Sequence, residues 1–381
     1  MIKTEYHKDL TRLNTFGMKV KTRCFIEYDS VADLVDIEFD QLTRPVLHIG
    51  GGSNLLFTDD FKGTVLHSKI DFIEVLDSCD GAAEDGPVLV SVGAGVVFDD
   101  FCDWAAKEGL WGVENLSYIP GEVGASAVQN IGAYGVEVKD VIHKVYCYDT
   151  VEEEFVSFSV EECGYGYRDS IFKKPEVKGR YIVTHVVFAL SREPKPRLDY
   201  GHLASAVAEA TSDSADPRPR KLGHPLAGGG MSSPSDVASA EVRRITPSLI
   251  RKVIIRIRKD KLPEPSVMGS AGSFFKNPVI SMDHFRKIEA AAKAECGADC
   301  KVPHYDLPDG TVKVPAAWMI EQCGWKGKRS GGAAVWEKQP LVIVNYTGEA
   351  YPEEIIGLER RIIDSVKRKF GVDLHPEVDH I

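Results

Sequence analysis

The chain contains no apolar run approaching the roughly 18 residues needed to cross a membrane. Its opening stretch, Met1-Ile-Lys-Thr-Glu-Tyr-His-Lys-Asp-Leu10, lacks the apolar core of a secretory signal. A cytoplasmic location is the expectation from these two absences. Basic charge is also scarce: 46 Lys and Arg face 57 Asp and Glu, a formal net charge of −11. That balance argues against general binding to nucleic acid or to an anionic membrane, which favour basic surface. It leaves an anionic small molecule open, because a few local cations can outweigh the global field. No obligate protein partner is evident, and a monomer acting on a small-molecule substrate is expected.

The eight cysteines, at 24, 79, 102, 147, 163, 296, 300 and 323, have no regular spacing and are expected to be free thiols. Cys296, Cys300 and His304 form a loose Cys-x3-Cys-x3-His, but a zinc site needs about four ligands and no fourth lies near. No metal is expected. The dinucleotide fingerprint Gly-x-Gly-x-x-Gly is missing too: in Gly50-Gly-Gly-Ser-Asn-Leu55 a leucine stands where the third glycine belongs. There is no P-loop.

At 381 residues, with 43% hydrophobic and 27% charged residues, the chain is an ordinary globular protein of two or three domains. Arg44 to Ile49 reads as a short buried strand, preceded by a helix with Val31, Leu34, Val35 and Leu42 on one face. Pro87 to Val92 and Tyr181 to Leu190 read as strands. Asp99 to Glu108 reads as a helix stopped by Gly109. Ala210 to Ala240 is rich in Ser, Ala, Pro, Gly and Asp, with Gly228, Gly229 and Gly230 in a row. It cannot bury much apolar surface and reads as a mobile surface insertion. Order resumes near Val253 to Ile257. Three helices follow: one capped by Ser281 and running to about Glu295, one from Pro315 to Gly324, and one from Pro352 to Gly371. Leu341 to Asn345 reads as a strand.

Ile119 to Gly135 is the most informative stretch. It holds Gly121, Gly124, Gly132 and Gly135 and no Lys or Arg. Bare N–H groups without basic side chains suit an anion held by backbone, such as a diphosphate. Its apolar residues Ile119, Val123, Val128 and Ile131 rule out a flexible linker, and a tight buried structural turn remains an equal reading. The second glycine turn, His48-Ile-Gly-Gly-Gly-Ser-Asn-Leu-Leu56, frees further N–H groups, with Ser53 and Asn54 to add side-chain bonds. The two loops together suit a long dinucleotide gripped from two sides.

These motifs resemble the flavoprotein family of UDP-N-acetylenolpyruvoylglucosamine reductases. The resemblance rests on Asn14-Thr-Phe-Gly17, Gly50 to Asn54, Ile119-Pro-Gly121 with Gln129-Asn-Ile-Gly-Ala-Tyr-Gly135, and Tyr165-Gly-Tyr-Arg-Asp-Ser-Ile-Phe172. It continues through Gly272-Ser-Phe-Phe-Lys-Asn-Pro278, Ala317-Trp318, Gln322-Cys-Gly-Trp-Lys-Gly327, Gly331-Gly-Ala-Ala-Val335 and Pro376-Glu-Val378. It runs from about residue 10 to the C-terminus, in family order. It implies an α+β protein: a two-lobed FAD-binding module of the vanillyl-alcohol-oxidase type, also called the PCMH type, plus a smaller α+β substrate-binding domain. The implied division is 1–70 and 71–192 for the two flavin lobes, 193–260 for a tyrosine loop, the insertion and a connector, and 261–381 for the substrate domain, whose tail returns to the flavin.

The resemblance implies non-covalent FAD held by Ile49, Gly50, Gly51, Gly52, Ser53, Asn54 and Leu55, and by Ile119, Pro120, Gly121, Gly124, Ala125, Ser126, Asn130, Ile131, Ala133, Tyr134 and Gly135. NADPH reduces the FAD, and hydride then passes from flavin N5 to the enolpyruvyl methylene of UDP-N-acetylglucosamine enolpyruvate, giving UDP-N-acetylmuramate for the cell wall. Such an addition builds charge on the carboxylate side, which must be stabilised, and it needs a proton donor. By similarity Ser273 gives the proton, and Arg168 and Glu377 stabilise the enolate. An arginine can hold a carboxylate through two parallel N–H bonds, although a salt bridge to Asp169 or Glu161 is its plainer reading. A glutamate beside a substrate carboxylate is expected to have a raised pKa. Lys261, Asn277, Lys326 and Gln339 match substrate positions, Lys276 is a further candidate cation, and Tyr200 resembles a loop tyrosine that closes over the substrate diphosphate. One departure stands out: Asp379 occupies a position where members of this type often carry arginine. A flavin oxidase of the same fold and a non-catalytic flavin- or nucleotide-binding protein are the competing readings.

Overall fold

Two β-sheets stand side by side and a third α/β unit closes over them; the computed structural model describes residues 1–76, 86–213 and 245–381. The first sheet contains β1 (Lys3–Asp9), β2 (Lys21–Tyr28), β3 (Val46–Ile49) and, beyond the two-residue β4 (Leu55–Leu56), β5 (Phe61–Ser68). Its order is β1-β2-β5-β3; β1 is antiparallel to β2, and β2, β5 and β3 run parallel. Parallel pairing needs crossovers. The one between β2 and β3 carries α1 (Val31–Val35), capped by Ser30 Oγ, which accepts from the Asp33 N–H. The expected helix is thus shorter than its apolar spacing suggested. Leu42 lies outside it, in the turns that lead to β3, and packs against the same small core as Leu34 and Phe39.

The second sheet has the order β11-β10-β12-β7-β6, from β6 (Ile73–Val75), β7 (Val88–Gly93), β10 (Ile142–Asp149), β11 (Glu154–Ser159) and β12 (Tyr181–Leu190). Pairing is antiparallel throughout. Between β7 and β10 lie α2 (Phe98–Lys107), α3 (Val123–Gln129) and the small ribbon β8 (Gly132–Ala133)–β9 (Val136–Glu137). Phe101 and Ala105 of α2 are buried as their spacing predicts, and Gly109 takes the left-handed φ of +70° that ends the helix. Next come α4 (Leu203–Asp213) and α5 (Pro247–Lys261), which pack together around Trp111. The expected insertion therefore begins, at 210–213, as the last turn of α4; the rest of it, to Ala240, lies outside the described residues.

The C-terminal unit opens with β13 (Gly269–Ser273), β14 (Val279–Ser281) and α6 (Met282–Cys296), where Ser281 Oγ accepts from the His284 N–H as a capping serine should. It continues through β15 (Tyr305–Asp306), β16 (Thr311–Lys313), α7 (Ala316–Gln322), β17 (Arg329–Ser330), β18 (Ala333–Val335), β19 (Val342–Asn345) and α8 (Pro352–Phe370). Its main sheet is ordered β13-β19-β18-β17. The buried stripe Ile355, Leu358, Ile362 and Val366 seats α8 on this sheet, and Gly371 closes the helix at φ +67°. The last strand, β20 (Asp379–His380), leaves the unit and pairs parallel with β4, forming a separate two-stranded sheet just beyond β3. A single core runs from Phe16, Phe25 and Val65 to Phe274, Ile343 and Leu358, so the C-terminal unit shares its interior with the first sheet.

The seven described cysteines are free; Cys79 lies outside the described residues. No described helix is long and apolar enough to cross a membrane. The His304 ring packs on Phe285 and its Nδ1 meets the Val302 carbonyl, while Cys296 is exposed.

Candidate active site

The two glycine segments meet face to face. Gly50 to Asn54 leave the C-terminal end of β3, and the chain from Pro120 to Glu122 leads into α3. A Cβ on Gly51 would stand 3.2 Å from the Gly121 Cα, and one on Gly50 would stand 3.0 Å from the Ala125 Cβ. Ser53 Oγ donates to the Pro120 carbonyl at 3.1 Å, tying one loop to the other. Gly52 has φ +60°, and a Cβ there would lie 2.0 Å from the Leu13 carbonyl, so only glycine fits. The Asn14-Thr-Phe-Gly17 motif forms the seat of this turn: Thr15 N–H donates to the Gly52 carbonyl, and Asn14 bonds back to Leu10 and Met18.

Beyond α3 the chain is strained. Asn130 and Tyr134 both have φ +48°, costly for residues with side chains. Asn130 holds its turn by donating to the Gly166 carbonyl at 2.8 Å. Arg168, itself at φ +54°, lays its guanidinium across that backbone: Nη2 donates to the Gly132 carbonyl at 2.7 Å and Nη1 to the Asn130 carbonyl at 3.3 Å. Its Nε donates to Glu377 Oε1 at 2.8 Å. Both side chains are largely buried, at 17% and 11% exposure. The plainer reading of Arg168 is therefore set aside, and Asp169 pairs with Lys174 instead.

Glu377 arrives on the tail. Its N–H donates to the Phe274 carbonyl, its carbonyl accepts from Asn54 Nδ2 at 3.0 Å, and Phe275 bridges to Pro376. Ser273 precedes Phe274, so serine, glutamate and arginine converge beside the two glycine segments. Ser273 ends a bulged strand: the register shifts between Ser270 and Ser273, and Gly272 takes φ +69° to allow it. Its side chain is exposed and has no hydrogen-bond partner among the described residues.

The electrostatics follow from burial. Desolvation raises the Glu377 pKa, and Arg168 opposes the shift. The raised value was expected from a substrate carboxylate; burial alone produces it. Lys173 is pushed down by burial and faces Asp379, Lys276 and Glu377, so Asp379 supplies a counter-charge where arginine was anticipated.

Around this group stands an aromatic wall, of which the sequence flagged Tyr134 and Tyr200 but not Tyr305. Tyr200 stacks on Tyr305 at 6.5 Å and 12°, and meets Tyr134 edge-on at 6.0 Å. Lys313 Nζ lies 4.6 Å from the Tyr167 ring and 5.9 Å from that of Tyr305. Arg258 of α5 reaches in from the other side; burial lowers its pKa, and its Nε donates to the Tyr118 carbonyl. Neither Lys313, one cation in a short strand, nor Arg258, one of several on α5, carries a local signal. Tyr167 was legible as the neighbour of Arg168.

The expected substrate residues divide. Asn277 belongs to the cluster: its Nδ2 donates to the Tyr167 hydroxyl, and its Oδ1 accepts from the Ala316 N–H at the start of α7. Lys261 is exposed at the end of α5, where its carbonyl accepts from Trp336 Nε1. Lys326 is exposed and pairs with Glu321, and Gln339 sits in the turn before β19. These three make no hydrogen bond to the Arg168 group. The whole arrangement fits an extended dinucleotide. Two bare glycine backbones face each other, and the buried Gln129 Nε2 at the end of α3 has no partner.

Residues 23–156 match a family model described as an FAD binding domain, and residues 264–381 match the C-terminal domain of UDP-N-acetylenolpyruvoylglucosamine reductase. A protein of that name from Bacteroides fragilis is 46% identical over 369 residues, covering 97% of both chains. Another from Porphyromonas gingivalis is 42% identical over 377 residues, covering 98% of this chain and 97% of its own. The crystal structure of the reductase from Thermus caldophilus superposes with a TM-score of 0.59 at 21% identity, over 100% of this chain and 98% of that one. That likeness establishes the shared fold.

Proposed function

The chain belongs to the UDP-N-acetylenolpyruvoylglucosamine reductase family, and on that premise we propose that it reduces UDP-N-acetylglucosamine enolpyruvate to UDP-N-acetylmuramate with NADPH as reductant. Membership makes it an FAD-dependent oxidoreductase of peptidoglycan-precursor synthesis. In this reading residues 1–70 and 71–192 hold the flavin, 193–260 close and connect, and 261–381 take the substrate.

FAD, when bound, accepts hydride from NADPH and delivers it from N5 to the enolpyruvyl methylene. The Gly50–Asn54 and Ile119–Gly135 backbones hold the diphosphate through N–H groups. Arg168 is already oriented by Gly132, Asn130 and Glu377, so it meets the substrate carboxylate with little rearrangement. Charge building on that carboxylate is stabilised by the guanidinium, and Glu377 fixes the guanidinium's plane. Ser273 gives its proton to the adjacent carbon. Asn277, Lys313 and Tyr305 offer donors and a cation to the UDP portion, and Tyr200 covers it. Lys261, Lys326 and Gln339, which make no bond to the Arg168 group, contact the substrate at a distance from the reacting carbons.

The observation that carries this reading is the chain of hydrogen bonds that joins Phe274, next to Ser273, through Glu377 and Arg168 to the Asn130–Gly132 backbone. Ser273→Ala tests it. Reduction of bound flavin by NADPH should stay near the native rate, while reoxidation by the enolpyruvyl sugar slows about 10²- to 10⁴-fold. Equal slowing of both half-reactions would reject Ser273 as the donor. A protein that takes up no flavin, and so shows no flavin absorbance, would reject the reading as a whole.

A further inference from the structure

A buried carboxylate–imidazole–carboxylate chain lies directly beneath the two glycine loops. His67 of β5 is 3% exposed. Its Nε2 meets Glu122 Oε1 at 3.0 Å, and its Nδ1 meets Glu27 Oε2 at 3.2 Å. Glu122 is also enclosed, with its side chain 8% exposed, whereas Glu27 reaches the lining of a groove of about 900 Å³ on the β1–β2 face. Register explains the meeting. His67 stands opposite Glu27 on one side and opposite Ile49 on the other, and the next residue after Ile49 is Gly50.

Glu122 is held where it must face that glycine. Its neighbours are fixed to the second sheet's side of the molecule, through Val123 N–H to Val96, Gly124 N–H to Ala94 and Phe98 N–H to Gly121. A Cβ on Gly50 would lie 3.2 Å from Glu122 Oε2. The carboxylate thus sits between the two loops that face each other at Gly51 and Gly121. Glu122 belongs to one loop, and His67 to the strand beside the other, so their bond ties the two halves of the clamp together.

The charge at this point matters for an anion. Each ring nitrogen of His67 stands within hydrogen-bond distance of a carboxylate oxygen, so the ring partners both glutamates at once. Without His67, the buried Glu122 side chain would stand unpartnered beside any diphosphate held by the loops, at a cost in both desolvation and repulsion. We propose that His67 and Glu122 are positioning residues for the dinucleotide: the pair fixes the spacing of the two glycine loops, and the His67 partner makes the buried Glu122 carboxylate compatible with a bound diphosphate. The inference rests on the flavin reading above and adds two residues to it that touch no reacting atom.

The experiment is a double-mutant cycle on the affinity of apoprotein for FAD, read by quenching of flavin fluorescence, with the melting temperature of each apoprotein recorded alongside. His67→Asn leaves Glu122 buried and unpaired, and FAD binding should weaken by about tenfold or more. Glu122→Gln removes the negative charge and should stay within about threefold of native. The double variant should recover most of the loss, because the stranded charge is gone. A packing role alone predicts the opposite, a double variant as weak as His67→Asn or weaker, and that result would overturn the proposal. Glu122→Ala forms a second arm that strands no charge near the loops. It should bind FAD several-fold more weakly through lost spacing, and native affinity would overturn the spacing role. Native protein that binds no FAD refutes the flavin reading. Native protein that binds FAD, with His67→Asn binding it equally well, refutes only the positioning role of the pair.

Discussion

The Tyr28 hydroxyl and His48 Nε2 share a hydrogen bond of 2.7 Å, two residues before Gly50 opens its loop. Burial pushes the Tyr28 pKa far up, so the phenol keeps its proton. Burial, with His67 nearby, pushes the His48 pKa down to about 4. A histidine depressed in the fold binds its proton more readily once unfolded, so its contribution is present above the ordinary value of 6.5 and is lost as pH falls toward 4. The native protein should lose about 2 kcal/mol over that window, and His48→Asn should flatten this part of the curve. Urea titrations from pH 7 to pH 4 check it; parallel curves for the two proteins would refute it. Residue-scale facts of this kind were barely legible in the sequence. Arg168 and Glu377 are 209 positions apart, and no local pattern pairs them. They were found because each sits in a family motif. His67 and Glu122 lie 55 apart; Glu122 sits inside the Ile119–Gly135 stretch but was not singled out, His67 lies in no quoted motif, and the pair was missed.

Elements were read more surely than residues, and for a physical reason. Helix caps and stops are local events: Ser281 bonds its own helix three residues on, and Gly109, Gly324 and Gly371 turn left-handed where their helices end. Strands such as Tyr181–Leu190 are legible from their buried apolar runs. What escaped was anything set by a distant neighbour. The bulge that turns Ser273 outward depends on pairing with Val342 and Val344, and α1 stops early because the chain must return to β3. Gly52 shows the same dependence in testable form. Its φ of +60° is local, but the 2.0 Å encounter of any Cβ with the Leu13 carbonyl comes from a distant segment, held there by the contact between Thr15 and Gly52, 37 residues apart. Gly52→Ala combines both penalties and should destabilise the protein by about 3 kcal/mol, with FAD affinity falling as the loop is displaced. Gly109→Ala meets no atom within 4 Å and carries only the φ penalty, so it should cost about 1 kcal/mol and leave FAD affinity alone. Equal effects on flavin binding would show that the Gly52 loop is not seated as described.

At the scale of the whole molecule, the chain closes on itself through its last residues. β20 adds to β4, the Ile381 N–H donates to Leu56, and the Ile381 carbonyl accepts from both the N–H and the hydroxyl of Thr58. Asp379 N–H donates to the carbonyl of Asn54, whose own side chain donates to the carbonyl of Glu377. A segment that binds flavin in the proposed reading therefore also positions a residue proposed for the chemistry. His380 adds an ion pair to the buried Glu359 of α8 at 3.2 Å, and Glu359 raises its pKa. That tie is complete below the ordinary histidine range and is lost as pH rises through the raised value. Deleting residues 379–381 removes about four hydrogen bonds and the ion pair, roughly 3 kcal/mol of seating at about 1 kcal/mol per bond less some re-solvation. The core shared by the first sheet and the C-terminal unit loses only the partly buried Ile381, and the core of the second sheet is untouched, so the shortened protein should still fold. Glu377 retains its bonds to Phe274 and to the Asn54 side chain but loses the second tie, from Asp379 to the Asn54 carbonyl, that braces it against the glycine loop. Flavin reoxidation by substrate should then slow at least tenfold, with a smaller loss in FAD affinity, since a misplacement of about 1 Å costs on the order of 10²-fold in rate. Rapid-mixing measurement of the two half-reactions separates the outcomes. If the shortened protein reoxidises at the native rate, the tail is a strap for stability alone, and the Arg168–Glu377 pair is held in place without it.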